Sequence, residues 1–210
     1  MSFSFPSRVY PIVDTLQDAG LSYIELARAI LAAGAPLLQL RVKGESSGRF
    51  VETARRVQAL ADQYGARLIV NDRPDIAQLI DAAGVHLGQG DIPVAAARRM
   101  LGPNKIIGLS THNVAQAEAA VLEGIADYIG FGPIFPTSSK DRPDPVQGSD
   151  SLRQIRARVA LPIVAIGGIT AATMDAVLVA GADAVAMIGE IVRAPNVEAK
   201  VRGLLAIQTV

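Results

Sequence analysis

Short apolar runs alternate along this chain with longer stretches in which apolar residues recur every three or four positions. The short runs predict eight strands: Val9–Asp14, Leu37–Val42, Arg67–Asn71, Val85–Gln89, Lys105–Ser110, Tyr128–Gly132, Pro162–Gly167 and Ala184–Gly189. Several are rich in Val and Ile, as strands buried on both faces are. Between them the spacing predicts helices, among them Tyr23–Ala33, Arg49–Tyr64, Ala115–Glu123 and Ser151–Val159. In the second of these, Val51, Ala54, Val57, Leu60 and Ala61 fall at helical spacing, with Glu52, Arg55, Arg56 and Asp62 between them. The pairs Ala33-Gly34, Ala83-Gly84 and Ala180-Gly181 read as helix C-caps before strands. Repeated βα units with right-handed crossovers imply an α/β fold. We expect a single-domain (β/α)8 TIM barrel spanning residues 1–210. The rival is an open doubly wound sheet. Against it, no Gly-x-Gly-x-x-Gly follows the first strand, and eight evenly spaced repeats suit closure.

The length of 210 residues lies near the lower end for such a barrel, where roughly 250 is typical. Half of the residues are hydrophobic, so a large core is available. Lys plus Arg and Asp plus Glu both number 20. A net charge of zero gives no reason to expect a nucleic acid or an anionic membrane as partner. Any anion site must be a local cluster of cations and backbone donors. There is no cysteine, which excludes disulfides, zinc–thiolate sites and cysteine nucleophiles. The N-terminus has no charged segment followed by a long apolar run, so no signal peptide is expected. The longest charge-free apolar stretch, Val159–Met174, is broken by Pro162, Gly167 and Gly168 and is shorter than a membrane span. It reads as a buried strand followed by a turn, and a cytoplasmic location is the default expectation. The longest connection, Pro133–Gly148, is rich in Pro, Ser and Asp. Loops of that length are usually functional or mobile.

The polar residues fall where a barrel keeps its active site, at the C-terminal strand ends. Gln39, Arg41 and Lys43 share one face by period-two alternation. Asn71-Asp72 end the third strand, and Asp91 lies two residues past the fourth. Ser110-Thr111-His112 end the fifth, and the sixth leads into Pro136-Thr137-Ser138-Ser139-Lys140. Gly167-Gly168 and Gly189-Glu190 follow the last two. Charges on barrel strands cannot face a dry interior unpaired. Cations at one rim bind phosphoryl oxygens, carboxylates hold Mg2+, and bare glycines let backbone N–H groups approach a phosphate. Each signal has a plainer reading. Asp72 and Asp91 each precede a proline by two residues and could organise helix starts. Arg41 and Lys43 could be surface ion-pair partners, and Gly167-Gly168 a turn. His112 reads as a loop hydrogen-bonding residue and His86 as a structural one. The joint pattern carries the weight.

These segments resemble the thiamine-phosphate synthases. The matching stretches are Gln39–Lys43, Val70–Ala77, Gly84–Pro93, Ile107–His112, Asp127–Thr137 and Val164–Ile169, in order and over nearly the whole chain. The resemblance implies a transferase that couples hydroxymethylpyrimidine pyrophosphate to thiazole phosphate, releasing pyrophosphate, with Mg2+ as cofactor. It implies that Gln39, Arg41, Lys43, Asn71, Ser110 and Lys140 contact the pyrimidine pyrophosphate. Arg41, Lys43, Ser110 and Lys140 would carry the catalysis. Asp72 and Asp91 would hold the metal, and Thr137, Ser139, Gly168, Ile188 and Gly189 would line the thiazole phosphate site. Two departures stand out. The family's Thr-x-Thr-Lys is Thr137-Ser138-Ser139-Lys140 here, and its Ser after strand eight is replaced by Gly189 followed by Glu190. The Pro133–Gly148 loop is expected to close over the substrates and bring in Lys140. The alternatives are a thiazole tautomerase-like isomerase using His112, a Schiff-base aldolase using Lys43 or Lys140, and a non-catalytic binder of thiamine precursors. The sequence leaves a homo-oligomer open.

Overall fold

A computed structural model describes residues 3–14, 20–137 and 144–207. Eight strands run β1 (Val9–Val13), β2 (Leu37–Leu40), β3 (Arg67–Asn71), β4 (Gly84–Leu87), β5 (Ile106–Thr111), β6 (Tyr128–Phe131), β7 (Ile163–Ala165) and β8 (Ala184–Met187). The helices are α1 (Tyr23–Ala32), α2 (Ser47–Gln63), α3 (Pro74–Leu79), α4 (Val94–Leu101), α5 (Val114–Glu123), α6 (Gly148–Arg156), α7 (Met174–Val179), α8 (Gly189–Val192) and α9 (Val197–Leu205). The strands pair in sequence order and in parallel, and β1 pairs with β8 through Val9↔Val185, closing the barrel. The open-sheet rival is thereby excluded.

Alternation divides the strand residues between two layers. Outward residues such as Leu38, Leu40, Val70 and Val85 join the helices in one large core. Inward residues such as Tyr10, Leu37, Ile69, Tyr128 and Val164 fill the barrel. At the N-terminal end Phe3 and Phe5 pack edge-on, with ring centroids 4.9 Å apart, and both meet Tyr128. The barrel interior is a packed core, and a cavity opens at its other mouth.

All eight expected strands form, with ends displaced by one or two residues. β2 stops at Leu40 rather than Val42, and β8 at Met187 rather than Gly189, because the chain leaves the ladder where its polar residues turn to the mouth. Lys105 lies outside β5, its ammonium bound to Asp81 at 2.5 Å. The expected C-caps at Gly34 and Gly181 hold, both with positive φ after α1 and α7. Ala83-Gly84 is a correction. α3 ends at Leu79, Asp81 takes the left-handed conformation, and Gly84 begins β4. A Cβ on Gly84 would lie 2.0 Å from the Ile106 carbonyl oxygen, so close strand approach is what requires glycine there. A ninth helix, the short α8, appears among the described residues where eight were expected. No helix of the described residues is long and apolar enough to cross a membrane.

Candidate active site

A cavity of about 620 Å3 opens at the C-terminal ends of the strands. Its floor is polar and its walls are largely apolar. Gln39, Arg41, Asn71, His86 and Ser110 line one side, while Val164, Ile166, Ala186 and Ile188 line the other. Thr137, Gly168 and Gly189 also border it. Of the expected residues, Ser139 and Lys140 lie outside the described residues. Lys43, Asp72 and Asp91 are not on the cavity wall; they form a linked group at the adjoining rim, next in chain to Asn71 and close to Arg41.

That rim group is built from opposed charges. The Arg41 guanidinium pairs with Asp14, whose side chain is 1% exposed. A buried carboxylate needs such a partner, since removing one member of a buried pair costs about 3–5 kcal/mol. Lys43 pairs with Asp72. Asp72 has φ of +63°, an unusual conformation for a residue with a Cβ, and such conformations cluster at binding sites. Burial pushes the Asp91 carboxyl above its ordinary range. The Gly88 N–H, donating to Oδ2 at 2.7 Å, draws it back, and the neighbouring Asp72 carboxylate raises it again. Neither aspartate caps a helix: α3 and α4 begin after Arg73 and Pro93 without side-chain caps. The cap reading of the two aspartates fails, while Arg41 and Lys43 do make the ion pairs that their plainer reading expected.

Across the cavity the site is made of backbone. Gly167 and Gly168 have φ of +90° and +66°. A Cβ on Gly168 would sit 2.4 Å from the Pro136 carbonyl oxygen, and one on Gly167 2.4 Å from Pro133 Cβ. The glycine pair therefore seats the segment after β6, which is tied down by Ile134 N–H to Ile166 O at 2.9 Å and Phe135 N–H to Gly167 O at 3.1 Å. Gly189 differs. A Cβ there would meet only the Arg193 guanidinium, at 3.5 Å, so a side chain would fit. Glu190 does not stand as a bare charge: it pairs with Lys200 and accepts from Ala171 N–H at 3.3 Å.

Several cavity residues were not foreseen as functional. His86, expected to be structural, bridges Tyr128 Oη and Ser110 Oγ, each at 2.9 Å. Tyr10 and Tyr128 meet at 3.2 Å, and burial raises both hydroxyls, keeping their protons on. His112 behaves as the loop residue expected, with Nδ1 2.7 Å from the Gly132 carbonyl oxygen and Nε2 3.5 Å from Asp144. Arg193 and Lys200 reach the cavity from the helical layer, where no strand-end pattern marks them.

Comparison with known proteins bears on this geometry. The family model described as thiamine monophosphate synthase matches residues 9–191. The chain belongs to that family. A thiamine-phosphate synthase of Shouchella clausii is 45% identical over 202 residues, covering 96% of each chain. One of Chloroflexus aurantiacus is 45% identical over 204 residues, covering 97% of this chain and 93% of its own. The solved thiamine phosphate pyrophosphorylase of Pyrococcus furiosus superposes with a TM-score of 0.83 at 34% identity, covering 94% of this chain and 93% of its own. Of the residues that the resemblance singled out, Gln39, Arg41, Asn71, Ser110, Thr137, Gly168, Ile188 and Gly189 line this one cavity.

Proposed function

We propose that this chain is a thiamine-phosphate synthase, a transferase joining hydroxymethylpyrimidine pyrophosphate to thiazole phosphate with release of pyrophosphate. The observation that carries the reading is one cavity with two separate cationic or donor-rich sectors, the first of them continued by charged residues at the adjoining rim. On one side stand Arg41, Lys43 and the two aspartates; on the other, the Gly168–Gly189 backbone with Arg193 and Lys200. Family membership supplies the chemical names of the two anions.

The bond from the pyrimidine methylene carbon to the pyrophosphate oxygen breaks, and its electron pair leaves with pyrophosphate. The thiazole nitrogen then donates its lone pair to the same carbon. No proton need move, which agrees with a floor that offers hydrogen bonds rather than an acid–base dyad. Gln39 and Asn71 are placed to hold the aminopyrimidine. Arg41, Lys43 and Ser110 are placed to meet the growing charge on the leaving group, and preorganised donors of this kind carry much of a barrier reduction. The apolar wall of Val164, Ile166 and Ile188 keeps water from the electron-poor carbon. Lys140 is assigned to the same pyrophosphate by its place in the family motif. Thr137 and Ser139 are assigned with Gly168, Ile188 and Gly189 to the thiazole phosphate.

Asp72 and Asp91 fit a Mg2+ ion. Their carboxyl groups interact at the rim, and the nearby Asp72 charge helps to push the Asp91 carboxyl up, a repulsion that a bound cation would relieve. Among the described residues no third His, Cys, Asp or Glu completes a cluster. Two carboxylates plus substrate oxygens is the set Mg2+ usually takes. When bound, the ion would neutralise charge on the leaving pyrophosphate.

The test is to mix both precursors with Mg2+ and follow thiamine phosphate by fluorescence after oxidation. Its formation with one equivalent of pyrophosphate supports the reading; its absence overturns it. One observation favours the isomerase alternative, the His112–Asp144 pairing beside the cavity. Conversion of a thiazole phosphate that survives EDTA would mark that activity.

A further inference from the structure

Five inward side chains from five strands form one unbroken hydrogen-bonded path across the barrel floor. Gln39 of β2 donates from Nε2 to Tyr10 Oη of β1 at 3.2 Å. Tyr10 Oη meets Tyr128 Oη of β6 at 3.2 Å. Tyr128 Oη meets His86 Nδ1 of β4 at 2.9 Å, and His86 Nε2 meets Ser110 Oγ of β5 at 2.9 Å. We propose that this chain is polarised, making His86, Tyr128 and Tyr10 positioning residues that hold the Ser110 hydroxyl as a donor into the cavity. The proposal rests on the reading that Ser110 meets the leaving pyrophosphate.

The direction follows from counting hydrogens. A phenol has one hydrogen to give. Tyr10 accepts from the Gln39 amide, and Tyr128 is the acceptor at hand for its own hydrogen; the reverse direction would leave that buried hydrogen without a partner in the path. Tyr128, having accepted, gives its hydrogen to His86 Nδ1. The neutral ring then carries its proton on Nε2 and donates to Ser110 Oγ. Ser110 has an acceptor site filled from below, and its hydrogen is left for the cavity that it lines. An unconstrained serine hydroxyl would rotate among acceptors; this one is aimed before substrate arrives. A donor aimed in advance costs no reorientation as negative charge builds on a leaving group, and hydrogen bonds in series reinforce one another.

The surroundings are shaped for the path. The His86 and Tyr128 rings stack with centroids 5.4 Å apart at 29°. Gly108 lies against both: a Cβ there would fall 2.5 Å from His86 Nδ1 and 2.2 Å from Tyr128 Cζ. On the other flank, a Cβ on Gly130 would fall 3.1 Å from His86 Cε1. Barrel closure brings the five strands together; the loop residue Gln89 holds the Ser110 carbonyl, through its Nε2 at 2.6 Å, and the path from His86 meets the hydroxyl.

The test is spectroscopic first. Long-range 1H–15N spectra of histidine-labelled enzyme at neutral pH read the His86 tautomer without turnover. We expect Nε2–H with an unprotonated Nδ1. A ring protonated on Nδ1 alone, or on both nitrogens, overturns the proposal. Gln39→Glu, read at a pH at which the introduced carboxyl is shown to be ionised, replaces the donor by a group that accepts only, so it should reverse the chain and give Nδ1–H; an unchanged Nε2–H with that carboxylate ionised would contradict it. Tyr128→Phe should lower kcat about 10- to 100-fold, the usual effect of losing an orienting partner, with little change in KM. Adding Tyr128→Phe to Ser110→Ala should then lower kcat no further. Full additivity of the two losses, or a Tyr128→Phe enzyme with wild-type kcat, contradicts the positioning role. An Nε2–H ring in a protein that forms no thiamine phosphate would uphold the polarised chain and remove the reaction assigned to the site.

Discussion

The two sides of the mouth are built by different means. The β2–β5 side uses charged side chains already engaged with one another: Arg41 with Asp14, Lys43 with Asp72, and Asp91 against Asp72. The β7–β8 side uses backbone that only glycine permits at Gly167 and Gly168, bordered by Arg193, just after α8, and by Lys200 of α9, which is paired with Glu190. Paired charges held at a rim can exchange partners when a polyphosphate and a cation arrive. A rigid backbone cradle cannot rearrange, and it suits a group that keeps its charge throughout. On the proposed assignment the difference matches the two substrates' fates, since one anion leaves and the other stays.

The largest expected effect is on the leaving side. Lys140→Ala should lower kcat about 100- to 1000-fold, as does loss of one preorganised donor elsewhere, while the KM for thiazole phosphate holds. A steady-state assay at saturating Mg2+ checks this, and near-wild-type turnover would strip Lys140 of its role. On the cradle side, Gly168→Ala places a Cβ 2.4 Å from Pro136 O in a left-handed backbone. It should cost about 1–3 kcal/mol of stability and raise the KM for thiazole phosphate more than it lowers kcat. Thermal melts and paired KM measurements separate the two. Arg193→Ala should weaken thiazole phosphate roughly tenfold, about the worth of one charged hydrogen bond. Its KM for the pyrimidine pyrophosphate should stay unchanged. Equal losses for both substrates would erase the distinction between the sides.

The smallest effect sets the floor. Ser22 and Glu25, neither of which lines the cavity, form a capping box at the start of α1, and the Ser22 N–H and hydroxyl hold the Glu25 carboxyl below its ordinary range. A lowered folded pKa means that this contribution is present above the unfolded carboxylate range and is lost as pH falls through the folded value. Glu25→Gln should therefore lower Tm slightly at neutral pH, with the gap to wild type closing in acid, and leave kcat alone.

The sequence made one side of this contrast far more legible than the other. Gln39, Arg41, Asn71 and Ser110 were readable because a polar residue at a strand end, in phase with an inward face, has few other reasons to be there. Asp72 and Asp91 looked as much like helix starters as metal ligands; only the absence of any cap in α3 and α4 separates the readings. His86 and Tyr128 hid inside apolar strands, since a hydrogen-bond path between strands leaves no local pattern. Arg193 and Lys200 hid among ordinary helix-surface cations, because their use depends on where α8 and α9 dock. The fold itself was visible in eight repeats of hydrophobic period. Strand ends were less so, because hydrogen-bond register, not hydrophobicity, decides where a ladder stops. The Ala83-Gly84 pair shows the same limit: glycine was needed for strand approach, which only the Ile106 neighbour reveals.

The central claim is that the metal serves the leaving sector alone. Calorimetric titration of pyrophosphate and of thiazole phosphate, each with and without Mg2+, on wild type and on an Asp72→Asn, Asp91→Asn double variant, tests it most directly. Mg2+ should tighten pyrophosphate in wild type, lose that effect in the variant, and leave thiazole phosphate affinity the same in all four conditions. Mg2+-independent pyrophosphate binding in wild type, or thiazole phosphate affinity that follows the metal, would contradict it.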